Sequence, residues 1–189
     1  MAVTVAQLHR EIRATGVMVP TGHLPLTLTP GSWVKVFEAL FEGVETADMR
    51  FLDVCCGVGH AVQSARLCYG VGRSKGVDFD PPTIEAAKLI GDRLPHPQHA
   101  ISFGVGDLTS PTFTLRGFTH CCCFIDSTYL TTRFVELAQR ARCAVIAFIL
   151  TREMAHEIRQ NAHGFFSWQT HKVTLEGGRC SRTVVIAVL

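Results

Sequence analysis

No two of the eight cysteines in this 189-residue sequence stand in a CxxC pair; they run together instead as Cys55-Cys56 and Cys121-Cys122-Cys123, with three others scattered. Tetrahedral zinc takes spaced pairs of ligands, so no metal site is expected, and contiguous thiols read as buried core groups rather than a disulfide framework. A long unbroken apolar run is missing from the N-terminus as well. Charges interrupt MAVTVAQLHREIRATG, which argues against a secretion signal or a membrane span and for an intracellular protein. Charge of one sign is scarce, with a formal net charge of +2. No strong overall field draws the chain to a nucleic acid or a membrane, so any charged partner must be met by a local patch. What is present is 47% apolar and 18% charged residues, enough for one domain with a full core.

Leu8 and Ile12 recur at helical spacing before Gly16, predicting a short N-terminal helix. Prolines, glycines and threonines crowd 17–31, which reads as an ordered loop or lid, leaving 32–189 as the main domain. Ser32 is the expected cap of a helix whose face carries Val36, Phe37, Leu40 and Phe41 and which ends near Gly43. Strand-like and helix-like segments then alternate. Strands are expected at 50–55, 75–79, 100–105, 118–125 and 143–150; helices at 60–69, 82–94, 131–140 and 153–161. The alternation and the continuous apolar strands predict an α/β fold, a Rossmann-like open and mostly parallel sheet with helices on both faces. Two final strands flank Glu176-Gly177-Gly178-Arg179, a hairpin signature that adds an antiparallel pair at the end of the sheet.

In such a sheet the ligand crevice lies beyond the carboxyl ends of the strands, and the first strand-to-helix turn is the usual nucleotide grip. Here it is FLDVCCGVGHAVQSA, where Gly57 and Gly59 allow a sharp bend and close ligand approach, and Asp53 can orient the loop or accept from an ammonium group. Nineteen residues past Gly59, Asp78 ends the second strand at the spacing where an acid meets ribose hydroxyls. Asp107, after the third strand, is placed to accept from an adenine amine or to serve as a turn residue. Asp80, just before two prolines, reads as a helix cap. The loop lacks the third glycine of GxGxxG, which counts against a dinucleotide dehydrogenase.

Asp53-Val54-Cys55-Cys56-Gly57-Val58-Gly59, Gly76-Val77-Asp78 and Gly106-Asp107 resemble the first three motifs of the class I, seven-stranded S-adenosylmethionine-dependent methyltransferases, with Cys55 where that family usually has glycine. The resemblance covers 32–189. It implies S-adenosyl-L-methionine as cofactor, with Asp53, Cys55, Gly57 and Gly59 facing its methionine part, Asp78 and Phe79 its ribose side, and Asp107 and Leu108 its adenine.

Asp126, Ser127 and Tyr129, at the end of the fourth strand, are the candidates to orient or deprotonate a methyl acceptor; Asp126 and Ser127 serve equally as a helix cap. The order of TLTPGSWVKVFEALF, the cofactor loop, TTRFVELAQRARCAVIAFIL and FFSWQTHKV is most similar to the non-SET, disruptor-of-telomeric-silencing-like histone lysine methyltransferases. That likeness implies a protein lysine as acceptor and an acceptor channel beside Trp168, which as a residue reads as a buried hairpin tryptophan. This chain departs from that family at Ile125-Asp126-Ser127, where the family has Asn-Asn-Phe, and lacks its Tyr-Gly-Glu. RNA, a small molecule, or a scaffold that binds the cofactor without turnover are the alternatives. The sequence sets neither the acceptor nor the oligomeric state.

Overall fold

The computed structural model describes residues 3–18, 27–125, 127–161, 164, 167–177 and 181–188. Seven strands form one sheet in the order β3-β2-β1-β4-β5-β7-β6. In chain order the elements are α1 (Val5–Ala14), α2 (Pro30–Leu40), β1 (Arg50–Val54), α3 (His60–Leu67), β2 (Arg73–Asp78), α4 (Pro81–Arg93), β3 (Ile101–Val105), β4 (His120–Phe124), α5 (Thr128–Ala141), β5 (Val145–Leu150), α6 (Arg152–Asn161), β6 (Ser167–Thr174) and β7 (Ser181–Val188). The first five strands are parallel; β7 runs antiparallel to both β5 and β6. The open mixed sheet and its terminal hairpin are those expected from the sequence.

Alternate residues of the central strands feed two cores, as the pleat requires. Leu52, Val54, Cys121, Cys123, Ile146 and Phe148 face α5 and α6, whereas Phe51, Cys122, Ala147 and Ile149 face α2 and α3. β4 and β5 are buried on both sides, which explains their unbroken apolar sequence. The contiguous cysteines are therefore core groups, with Cys121, Cys122 and Cys123 each buried.

Two helix starts differ from the sequence expectation. α2 begins at Pro30, not Ser32: the Thr29 hydroxyl accepts the Ser32 amide at 3.3 Å, and proline in the first turn sacrifices no hydrogen bond. Ser32 instead accepts the Thr174 amide at 2.8 Å and ties α2 to β6. α5 begins at Thr128, three residues ahead of the expected start, because Ser127 caps it. Asp80 does cap α4, accepting the Thr83 amide at 3.0 Å. Residues 19–26 of the expected lid, and Gly178 and Arg179 of the hairpin turn, lie outside the described residues. The flanks of the lid segment are anchored: Leu28 bridges Leu175, and Arg13 of α1 pairs with Glu176 at 2.8 Å. Among the described residues no helix is long and apolar enough to cross a membrane.

Candidate active site

β1 ends at Val54, and the chain must reverse before α3 starts at His60. It does so through three left-handed residues, Cys55 (φ 61), Gly57 (φ 53) and Gly59 (φ 86). Glycine takes this conformation without steric cost; Cys55 does so at a cost of about 1 kcal/mol. That is the physical reason for a glycine at this point in similar loops, and here the Cys55 side chain is held by packing against the α5-side core. Gly59 sits at the cap position of α3, its carbonyl accepting the Gln63 amide at 2.9 Å. A β-carbon on Gly59 would stand 2.5 Å from Cε1 of Phe103. The absent side chain thus makes room for a core phenylalanine of β3, which corrects the expectation that Gly59 clears space for a ligand.

The acid of β2 meets this bend directly. Asp78 Oδ2 accepts the Gly57 amide at 3.0 Å, and Oδ1 accepts the Asp80 amide at 3.1 Å. Register brings the second acid alongside: Asp53 of β1 pairs with Gly76 of β2. Asp53 is 4% exposed. Burial and the neighbouring Asp78 push it well above the usual carboxylate range. Two buried acids close together under a glycine bend form a site that gains from a cation carrying hydroxyl donors.

The other expected residues divide. Phe79 follows Asp78 and is 60% exposed, a large ring standing beside the acid. The Gly106 amide donates to the Asp78 carbonyl at 2.9 Å, so the turn after β3 adjoins the same place. There Asp107 is exposed and accepts both the amide and the hydroxyl of Thr109, at 2.8 and 2.7 Å, the hydrogen-bonding of a turn residue. Leu108 turns away into the α5-side core. Ser127 accepts the Leu130 amide at 3.4 Å as the α5 cap, and Tyr129 on the first turn of α5 is 68% exposed. Asp126 lies outside the described residues. Trp168 is half-buried against the α5-side core.

Sequence reasoning passed over His9. Its ring is fully buried between α1 and α3, 4.5 Å from the ring of His60 at the start of α3, and neither nitrogen has a partner among the described residues. The one signal was its place between Leu8 and Ile12 on the inward face of α1. Burial, then Arg13, lowers His9 to about 4; burial alone lowers the buried His120 to about 4. A histidine whose folded value lies below its ordinary 6.5 stabilises fully above 6.5, and that stability is lost as pH falls toward 4. Each of these two rings contributes on the order of 3 kcal/mol across that window. Urea midpoints measured at pH 7.5, 5.5 and 4.5 are expected to fall steeply below 6.5; a flat profile would contradict neutral buried rings.

No family profile matches this chain, and no curated protein matches its sequence. Its shape, in contrast, is widely shared. The N-terminal domain of human METTL16, solved in complex with SAH, superposes with a TM-score of 0.69 at 12% identity, covering 97% of this chain and 79% of that one. Magnesium protoporphyrin IX methyltransferase (ChlM) of Synechocystis PCC 6803, with bound SAM, gives 0.66 at 14% identity over 96% and 84%. A putative RNA methyltransferase of Pyrococcus horikoshii, PH1948, gives 0.65 at 16% over 96% of both chains. The fold is that of the class I methyltransferases. At these identities the likeness establishes architecture, and the chemistry rests on the site.

Proposed function

We propose that the chain is an S-adenosylmethionine-dependent methyltransferase. The observation that carries this reading is the junction of the glycine bend with the β2 acid, Gly57 N to Asp78 Oδ2 at 3.0 Å, beside the buried carboxyl of Asp53. The residues fit the cofactor. Asp53 offers its carboxylate to the amino group, Asp78 keeps acceptor capacity for ribose hydroxyls, and Phe79 and the Gly106-Asp107 turn flank the adenine position. Two of the similar structures named above, ChlM and the METTL16 domain, hold SAM or SAH, which supports the same occupant here. Bound there, S-adenosylmethionine supplies a methyl group that an acceptor's lone pair displaces from sulfur, the C–S electron pair staying on sulfur.

This chain's residues then have to place the acceptor in line and keep water out. The end of β4 lies against the end of β1, with Cys123 paired to Val54, so the start of α5 from Ser127 to Tyr129 borders the cofactor crevice. Asp126 and Tyr129 are the positions assigned to the acceptor; Ser127 fixes the start of α5. The described parts of the N-terminal segment, 3–18 and 27–31, are pinned by the Arg13–Glu176 pair and the Leu28–Leu175 bridge and act as a cover. A protein lysine as acceptor rests on segment order alone. Proteins of the same shape carry names with other acceptors, a magnesium porphyrin for ChlM and a tRNA uracil for a Pyrococcus abyssi enzyme. Transfer of a radiolabelled methyl group to pooled histones, RNA and small metabolites tests the activity. Labelling of one pool is expected. Label in none of them, with cofactor bound, would make the protein a scaffold.

A further inference from the structure

A concavity outside the cofactor crevice lies on the α5 side of the sheet between α6 and the edge strand β6. Its volume is about 670 Å3. Ala155 and Ile158 of α6 are buried in the core, which turns Arg152, His156 and Arg159, spaced at i, i+4 and i+7, toward the groove. β6 supplies Lys172 and Thr170 from the opposite wall, while the pleat turns His171, paired with Val184, to the α2 side, where it meets Gln169. Among the described residues no carboxylate lines it. The two acids of α6 are engaged elsewhere: Glu157 accepts from Thr128 of α5, and Glu153 bonds the helix's own start and Thr151. Arg152, Arg159 and Lys172 form no ion pair among the described residues. A chain with a net charge of only +2 has therefore gathered three permanent cations and one imidazole, that of His156, in one groove.

Position adds a second observation. Lys172 pairs with Thr183, and Thr183 with Leu150, so the groove's upper end lies level with the carboxyl end of β5, on the edge of the sheet where the cofactor crevice opens. Four strand spacings separate β6 from β1, about 19 Å. From there the groove descends along two turns of α6, about 10 Å. We infer that this groove seats single-stranded nucleic acid and leads it to the methyl-transfer crevice. Cations spread at this spacing match a chain of phosphates, guanidinium and imidazole planes give bases a surface to stack on, and the uncharged Gln160, Thr170 and Thr183 are placed for sugar and base edges. An acidic peptide would use the cations but not the planar faces. The inference rests on the methyltransferase reading for the purpose of the site, but the binding it asserts does not.

A second cationic hollow, lined by Arg50, Arg73, Lys75 and Arg116, lies at the amino ends of the strands, away from the crevice, and serves as the control. The test is fluorescence anisotropy of the full chain with labelled mixed-sequence RNA and DNA single strands of about 16 nucleotides, without cofactor. The wild type is expected to bind with a salt slope near −2, about −0.7 for each of three phosphate contacts. Replacing Arg152, Arg159 and Lys172 together by Gln is expected to weaken binding at least tenfold and flatten the slope, with SAH affinity unchanged. Arg50→Gln/Arg73→Gln/Arg116→Gln should retain wild-type binding. The inference is overturned if neither single strand binds at about 50 mM salt, if the groove variant binds as wild type, if the control variant loses as much, or if polyglutamate displaces RNA as readily as unlabelled RNA does. Tighter binding of RNA or of DNA identifies which strand the groove takes. Because SAH affinity is read separately by calorimetry, a failed groove and a failed cofactor site give different results.

Discussion

Gly59→Ala is expected to lower unfolding stability by about 2–4 kcal/mol and SAH affinity by at least tenfold. The cost has two sources. At φ 86 an alanine pays about 1–2 kcal/mol for the left-handed conformation. Its methyl group would also stand 2.5 and 2.6 Å from Cε1 and Cζ of Phe103, a ring packed against Cys56, Val62 and Ile84, so the β3 side of the core must shift. The bend that presents the Gly57 amide then moves with it. The second source is separable. Phe103→Leu removes the clashing ring atoms, so the double variant Gly59→Ala/Phe103→Leu should lose less stability than the two single losses added together. Denaturant titration of the four proteins reads both quantities. A Gly59→Ala loss below about 0.5 kcal/mol would show that the loop is not packed on Phe103.

Asp78→Ala is expected to weaken SAH binding at least 100-fold while leaving the fold intact. Asp78 does three things at once. It fixes the bend through the Gly57 amide, fixes the approach to α4 through the Asp80 amide, and offers its remaining lone pairs to a ligand. Loss of contacts to a charged acceptor is worth about 3 kcal/mol, or two decades of affinity. Stability should change less than affinity, because removing this carboxylate also relieves the repulsion that raises Asp53. Circular dichroism and calorimetry on the purified variant separate the two effects. Wild-type affinity in Asp78→Ala would show that the ribose contact is made elsewhere.

Much of this was legible in the sequence because it depends on short range. The glycines at 57 and 59, the acid at 78 and the direct succession of β3 by β4 with no helix between them all follow from local spacing. The terminal hairpin was equally clear, but not the position of its strands in the sheet. That information was present in the contrast between Val184-Val185-Ile186-Ala187, buried as in a central strand, and the polar alternation of Ser167–Thr174, largely exposed at the edge. The starts of α2 and α5 were missed because serine and threonine compete for the same cap, and only tertiary bonds such as Ser32 to Thr174 decide between them. His9 was invisible for a similar reason. A histidine on a helix face declares nothing until the element that buries it, here α3, is known. The role of Gly59 was misjudged because Phe103 lies 44 residues away in sequence and meets it only through the β2–β3 pairing.

The acceptor side is the least local part of the site. Ser127 is accounted for by the α5 cap and Leu108 by the α5-side core, whereas Asp78 holds the glycine bend and Phe79 is exposed beside it. The basic groove along α6 emerges only when the sheet edge is assembled, since Arg152 and Arg159 are far from Lys172 in a chain of near-neutral charge.

Titration of the purified protein with S-adenosylhomocysteine in a calorimeter is the most direct measurement of whether the bend and its two acids hold an adenosyl ligand. A single site per chain with an affinity in the micromolar range is the expected result, weakened by Asp78→Ala. Absence of binding heat and of any thermal stabilisation at about 1 mM ligand would leave the class I methyltransferase fold without its chemistry.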